Sequence, residues 1–256
     1  MRLLFVADLH YTLRQFDWLA AHAHEYDVVA IGGDLLDLGS LLEIDVQVVV
    51  IEKYLARIGQ KTRLLVSSGN HDGDRRDASG ESIAQWLRDS GLGQVLVDGD
   101  SAEIAGVLFT ICPWWDGPRS QAALEALLAR EAARAKSKWV WIHHAPPLNS
   151  TVSWTGKKSG GDEILVQWIE RFQPDVVLCG HIHNAPFYPA GSWVDRLGKT
   201  WVFNPGKQPG SAPTYLALDF ETMTAEWVAN DDQGTRSLAD ADASALSSPL
   251  AAGAGS

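Results

Sequence analysis

Residues 2–10 read RLLFVADLH, an apolar run of strand length that stops at Asp8-x-His10. A short apolar run bounded by polar and turn-forming residues is the pattern of a strand buried on both faces. The pattern recurs at 28–34 (VVAIGGD), 63–70 (RLLVSSGN), 107–113 (VLFTICP), 138–144 (KWVWIHH), 175–181 (DVVLCGH) and 200–206 (TWVFNPG). Segments of helical character lie between several of these runs. Residues 41–58 open with Ser40 and Glu43 in capping-box spacing, and 81–89 put Ile83, Trp86 and Leu87 on one face. Residues 121–136 carry Leu124, Leu127 and Leu128, and 163–172 stop before Pro174. Strands alternating with helices predict an α/β fold whose sheets are covered on both faces.

From about Phe187 the character shifts to consecutive strands, TWVFNPG, APTYLALDF and TAEWVAN, joined by Gly and Pro turns. From Asp231 the composition turns to Ala, Ser, Gly and Asp, which predicts a disordered tail. The expected organisation is therefore one domain over 1–230 and a tail over 231–256.

Bulk composition narrows the partners. A formal charge of −11 argues against a surface that grips nucleic acid through its phosphates, and the basic pairs Arg75-Arg76 and Lys157-Lys158 are isolated. No apolar stretch approaches the roughly 18 residues of a membrane span, and residues 1–10 do not read as a signal peptide. Cys112 and Cys179 lie far apart in apolar contexts and read as buried free thiols. A cytoplasmic protein without a membrane partner is the expectation.

The polar residues fall at the strand ends. Six of the eight histidines (His10, His71, His143, His144, His181 and His183) sit at or just past the apolar runs, while His22 and His24 lie in a helical segment. In chain order the ends read Asp8-x-His10, Gly33-Asp34-x-x-Asp37, Gly69-Asn70-His71-Asp72, His143-His144 and Gly180-His181-x-His183. Ligands of open α/β sheets gather outside the carboxyl ends of the strands, so these side chains are expected to converge. Carboxylate, imidazole and amide oxygen without thiolate favour hard or borderline divalent ions. Seven potential ligands exceed what one ion with open positions needs, which points to two ions sharing a carboxylate.

The set resembles the calcineurin-like metallophosphoesterases, whose motifs run D-x-H, G-D-x-x-D, G-N-H-[DE], a strand-end His and G-H-x-H. Here they stand as ADLH, GDLLD, GNHD, IHHAPP and GHIH between residues 7 and 183, with FNPG at 203–206 similar to the family's C-terminal end. The resemblance implies a two-sheet αββα sandwich. It also implies a dinuclear metal-dependent hydrolase of phosphate esters, a phosphodiesterase or phosphatase acting on a small soluble substrate through a metal-bridging hydroxide. The implied cofactor is a pair of divalent ions, Mn²⁺ first, with Fe, Zn²⁺ or Mg²⁺ as alternatives. Carried over, Asp8, His10 and His183 would hold one ion, Asn70, His143 and His181 the other, and Asp34 would bridge them. His71 would act as general acid or charge stabiliser, Asp37 would orient it, and Asp72 would be a local support. Two alternatives share the fold: a DNA-repair-type nuclease, disfavoured by the acidic charge, and a non-catalytic protein-binding scaffold, disfavoured by the complete ligand set.

Adjacent strand residues face opposite sides, so His143 and His144 are not expected to ligate the same ion. Alignment with the family's strand-end His favours His143 as the ligand, with His144 in a supporting or substrate-facing place. Among eleven tryptophans, Trp114-Trp115 follow a strand and Trp154 follows the His pair. Such residues either pack loops or cover an apolar substrate group, with Trp115 and Trp154 the first to test for the second role. The loop at 155–163 (TGKKSGGDE) is expected to gate the site.

Overall fold

Alternation along the first strand divides its residues between two cores. Leu3 and Phe5 enter one hydrophobic cluster, Leu4 and Val6 another, and all four are fully buried. The computed structural model describes residues 1–239. Its strands are β1 (Arg2–Val6), β2 (Val28–Gly32), β3 (Arg63–Ser67), β4 (Arg75–Arg76), β5 (Ser82–Ile83), β6 (Ser101–Ile104) and β7 (Val107–Ile111). They continue as β8 (Lys138–Ile142), β9 (Val176–Leu178), β10 (Val194–Leu197), β11 (Thr200–Phe203), β12 (Tyr215–Asp219), β13 (Thr224–Val228) and β14 (Gln233–Ser237). The helices are α1 (Leu13–His22), α2 (Ile44–Gly59), α3 (Gln85–Asp89), α4 (Pro118–Ala132) and α5 (Glu163–Phe172).

Two six-stranded sheets form, ordered β14-β13-β12-β1-β2-β3 and β10-β11-β9-β8-β7-β6. In the first, β1, β2 and β3 are parallel, while β12, β13 and β14 continue as an antiparallel extension. In the second, β7, β8, β9 and β11 are parallel, flanked by antiparallel β6 and β10. The inner faces meet in a core that includes Phe5, Phe109, Ile142, Leu178, Phe203 and Trp227. Phe16, Leu19, Ile51 and Leu55 of α1 and α2 cover the outer face of the first sheet. Leu124, Leu128, Leu165 and Trp168 of α4 and α5 cover that of the second, against Trp139 and Trp141. The result is the four-layer αββα sandwich that the family resemblance implied, with the strand and helix alternation read from the sequence.

Local departures from the sequence reading have identifiable causes. Helix α2 begins at Ile44 rather than near 41, because the preceding loop is held by its own polar contacts. Buried Gln47 accepts the Asp37 N–H and donates to the carbonyls of Asp37 and Leu42. Residues 81–89 split into the short strand β5 and the one-turn α3, and Ile83 belongs to the strand. Helix α4 runs earlier than expected, from Pro118 to Ala132. Helix α5 has the expected bounds, with Asp162 capping the N–H groups of Ile164 and Leu165. Strands β6 and β14 were not legible because they are half-exposed edge strands without an apolar run. Strand β14 also corrects the tail boundary: Gln233–Ser237 pair with β13 and Leu238 is buried. The expectation for 240–256 lies outside the described residues.

Phe109 is fully buried between the sheets. Phe109→Ala should lower stability by about 3–5 kcal/mol, the usual cost of a large-to-small change in a packed core, read as a reduced urea midpoint at unchanged slope.

Candidate metal centre

The parallel ladder of β1 and β2 does not stop where the strands do. Asp8 N–H donates to the Gly33 carbonyl (3.1 Å), His10 N–H to Asp34 (2.9 Å) and Tyr11 N–H to Leu35 (2.8 Å), so the two strand-end loops run side by side. The loop after β3 is joined to them by one buried carboxylate. Asp72 Oδ1 accepts the N–H groups of Leu35 (2.8 Å) and Leu36 (2.9 Å), and its Oδ2 accepts that of Gly69 (2.7 Å). Burial and the nearby charge of Asp34 push the Asp72 carboxyl up to about 7. This is the local support expected of it.

Two glycines owe their place to close approach. A Cβ on Gly69 would collide with the carboxylate of Asp34, and one on Gly180 would stand 2.5 Å from Asp8 Oδ2. Without side chains there, the N–H of His71 reaches Asp34 Oδ1 (2.8 Å) and that of His181 reaches both oxygens of Asp8 (3.1 Å). Asp8, His10, Asp34 and His181 all adopt left-handed backbone, with φ of 58°, 42°, 54° and 68°. Such conformations are costly for non-glycine residues and concentrate at functional sites.

These loops bring the donors into two groups. In the first, donor atoms of Asp8, His10, Asp34 and His183 lie within 4.8 Å of one another. His10 Nε2 is 3.1 Å from His183 Nε2 and 3.5 Å from Asp34 Oδ2, and His183 Nε2 is 3.2 Å from Asp8 Oδ1. In the second, Asp34, His144 and His181 meet within the same limit of 4.8 Å, with His144 Nε2 3.2 Å from Asp34 Oδ2. Asp34 belongs to both groups. Asn70 lies between Gly69 and His71, which both approach Asp34, and its Oδ1 is buried without a hydrogen-bond partner. A buried acceptor left unpaired is costly unless something else engages it, and the donor set around it suits a divalent cation.

Of the two adjacent histidines, His144 rather than the expected His143 lies at the donor groups. Along β8, Val140 and Ile142 point into the core between the sheets, while Trp139 and Trp141 point outward under α4 and α5. Period-two alternation therefore places His144 on the inner face, toward Asp34 and His181, and His143 on the other. His144 Nδ1 lies 2.7 Å from the Gly32 carbonyl, which fixes the ring and turns Nε2 toward Asp34. His143 is fully buried and neither ring nitrogen makes a well-formed hydrogen bond. The expected partnership of Asp37 with His71 is also modified. Asp37 lies beside His10 and His71, with donor atoms within 4.8 Å, but its Oδ1 accepts the Gly39 N–H. The hydrogen bond that orients His71 comes from the Leu38 N–H to Nδ1 (3.3 Å). An accepting Nδ1 leaves Nε2 to carry the ring proton.

Electrostatics separate the histidines. Burial, then the charge of Lys207, lowers His10 to about 4; burial, then His144, lowers His181 to about 4. Both imidazoles are therefore neutral near pH 7, with lone pairs available to a cation. His144 behaves oppositely: burial pulls it down, but Asp34 and Asp8 outweigh burial and raise it to about 9. The reciprocal effect holds Asp34 and Asp8 below the usual carboxylate range despite their burial. A proton and a metal ion compete for the same position at His144 Nε2.

Three features escaped the sequence reading. Trp114, rather than Trp115, stands beside the second group, its ring centroid 5.8 Å from His144 and 5.7 Å from His181. Its backbone N–H donates to Ser68 Oγ (2.9 Å), which in turn donates to buried Asp98 (2.6 Å). Trp115 packs against Trp168 (6.5 Å). Lys207, just past FNPG, donates from Nζ to the Asp8 carbonyl (2.5 Å). Asn204 of the same stretch donates to the carbonyls of Val152, Gly180 and Ile182 and so ties the G-H-x-H loop to β11. The loop at 155–163, expected as a gate, is anchored by bonds such as Gly160 N–H to Ser153 (2.7 Å) and Asn149 N–H to Ser159 Oγ (2.8 Å).

A sequence model of the calcineurin-like phosphoesterases matches residues 1–185. The chain belongs to that family of metal-dependent phosphoric ester hydrolases. Among solved structures it is similar to TT1561 of Thermus thermophilus, with a TM-score of 0.62 at 15% identity over 93% of this chain and 99% of that one. It is also similar to the purple acid phosphatase PPD1 from yellow lupin seeds, with a TM-score of 0.57 at 14% identity over 94% of this chain and 52% of that one. No curated protein matches the sequence. No helix among the described residues is long and apolar enough to cross a membrane.

The two histidines of 143–144 can be separated by metal content. After dialysis against Mn²⁺ and then buffer, His144→Ala should retain about one equivalent fewer than the parent protein, and His143→Ala should retain the parent stoichiometry. Elemental analysis reads both, and the reverse pattern would restore His143 as the ligand.

Proposed function

We propose that the centre is dinuclear and that the protein hydrolyses a small, soluble phosphate ester. The observation that carries this reading is Asp34, one buried carboxylate common to two groups of neutral or neutralisable donors. Asp8, His10 and His183 with Asp34 would hold one ion; Asn70, His144 and His181 with the same Asp34 would hold the other. When bound, such a pair lowers the pKa of water for attack at phosphorus and offers charge to the phosphoryl oxygens. Mn²⁺ is the first ion to test.

The protein's own groups have distinct tasks in this scheme. His71, its Nδ1 occupied by the Leu38 N–H, presents Nε2–H as a hydrogen-bond donor that stabilises the negative charge developing on the leaving oxygen. Asp37 stands beside His10 and His71 and would help to position the His71 ring. Trp114 is half-buried at the wall of the second group and offers an indole face to the organic part of the ester. A net charge of −11 disfavours a nucleic-acid substrate. The two buried free cysteines suit a reducing compartment, and we place the enzyme in the cytoplasm.

Protein stripped of metal and reloaded with Mn²⁺ should hydrolyse p-nitrophenyl phosphate, bis-p-nitrophenyl phosphate or both. His71→Ala should keep its metal while kcat falls by about 10²- to 10³-fold, the usual cost of losing one donor to developing charge. Absence of turnover on every phosphate ester tried with two ions bound would overturn the reading. Loss of an ion from His71→Ala would make His71 a ligand instead.

A further inference from the structure

Lys207 is a half-buried ammonium at the mouth of an otherwise carboxylate and imidazole cluster. Its Nζ uses one N–H on the Asp8 carbonyl, and among the described residues no carboxylate oxygen stands at ion-pair distance from it. Yet its charge is felt by Asp8, Asp37 and Asp34, and it is the leading charge acting on His10. The ammonium is therefore held against the Asp8 backbone within electrostatic reach of His10, Asp34 and Asp37, with donors left over.

The loop that carries it is built to hold it still. Lys207 N–H donates to the His183 carbonyl (2.9 Å), joining it to the G-H-x-H loop. Asn204 Oδ1 accepts the Gly206 N–H (2.8 Å), Trp227 Nε1 donates to the Pro205 carbonyl (2.9 Å), and Gln15 donates to the Gln208 carbonyl (3.1 Å). Thr214 Oγ1 closes the loop onto Gly206. These partners, drawn from separate parts of the chain, fix the backbone on both sides of one lysine. An ammonium removed from water without a carboxylate in contact is expensive, and its burial lowers its pKa. Fixing it at that cost beside a catalytic cluster is the arrangement expected of a preorganised anion contact.

We propose that Lys207 grips a non-bridging oxygen of the substrate phosphate and makes this site selective for phosphate monoesters over diesters. A monoester near neutral pH presents a dianion with three non-bridging oxygens, whereas a diester presents a monoanion with two. At equal distance the ammonium attracts the first about twice as strongly as the second, and only the first offers a third non-bridging oxygen. The inference rests on the phosphoesterase reading of the same centre.

The test uses the Mn²⁺-loaded protein, Lys207→Gln and Lys207→Arg, with p-nitrophenyl phosphate, bis-p-nitrophenyl phosphate and inorganic phosphate. Lys207→Gln should lower kcat/KM for the monoester by about 10- to 100-fold, the loss of one charge-assisted hydrogen bond, and for the diester by a clearly smaller factor. Its binding of inorganic phosphate, measured by calorimetry on the loaded protein, should weaken by about 10-fold or more. Lys207→Arg should recover part of both losses. Equal falls on the two esters with unchanged phosphate binding would overturn the proposal and leave Lys207 as a support for the Asp8 backbone, as would no change in any measurement. If the parent protein turned over neither ester, the phosphoesterase reading would fail, while phosphate binding would still report on Lys207. A Lys207→Gln protein that did not fold would shift the decision to Lys207→Arg, where a partial fall in both the monoester-to-diester ratio and phosphate affinity supports the proposal, and equal falls on the two esters with unchanged phosphate binding, or no change in any measurement, overturn it.

Discussion

One buried carboxylate, Asp34, couples the two halves of the sandwich. It leaves the end of β2 in one sheet and faces His144, which leaves the end of β8 in the other, at 3.2 Å. A second cross-sheet contact, His181 N–H onto Asp8, repeats the connection one strand over in each sheet. Both contacts exist because the inner faces pack through Phe5, Phe109, Ile142 and Phe203, which brings the carboxyl ends of β1, β2, β8 and β9 to one edge. The hydrophobic core thus sets the position of the polar centre, and the centre in turn staples the edge of the core.

The centre is organised at the expense of local stability. Four of its residues hold left-handed backbone, two like-charged carboxylates stand together in the interior, and Asn70 keeps an unpaired buried oxygen. Each is unfavourable alone, and each becomes reasonable where a doubly charged cation is to be received. The compensation is spread through the supporting loops. Asp72 gathers three N–H groups, Gln47 clamps the loop after β2, and Asn204 gathers three carbonyls. None of these three needs to touch a substrate to be indispensable, because they hold the donors that do.

Much of this is legible in the sequence. Apolar runs ending in Asp, Asn and His gave the strands, their carboxyl ends and the donors, and all the strand-end groups do converge apart from the parity of the His pair. Edge strands such as β6 and β14 were missed because half-exposed strands lack a continuous apolar run. The start of α2 was misplaced because Ser40 and Glu43 mimic a capping box, whereas the loop is committed to Gln47 and Asp72 from elsewhere in the chain. Trp114 was passed over for Trp115 because adjacent aromatic residues in a loop carry no periodicity that says which one faces the site.

By itself the sequence determined the donor chemistry, its distribution over strand ends and the alternation of strands with helices, since these follow from composition and from hydrophobic runs of strand length. The tertiary structure alone decided that His144 and not His143 enters the centre. In β8 both faces are apolar, so alternation says that the two histidines diverge but not which parity meets the other sheet. It alone decided that a backbone N–H of Leu38 orients His71, and that Lys207, 199 residues from Asp8, stands over the same cluster. These are contacts between segments remote in sequence, fixed by how two sheets pack, and no local pattern encodes them.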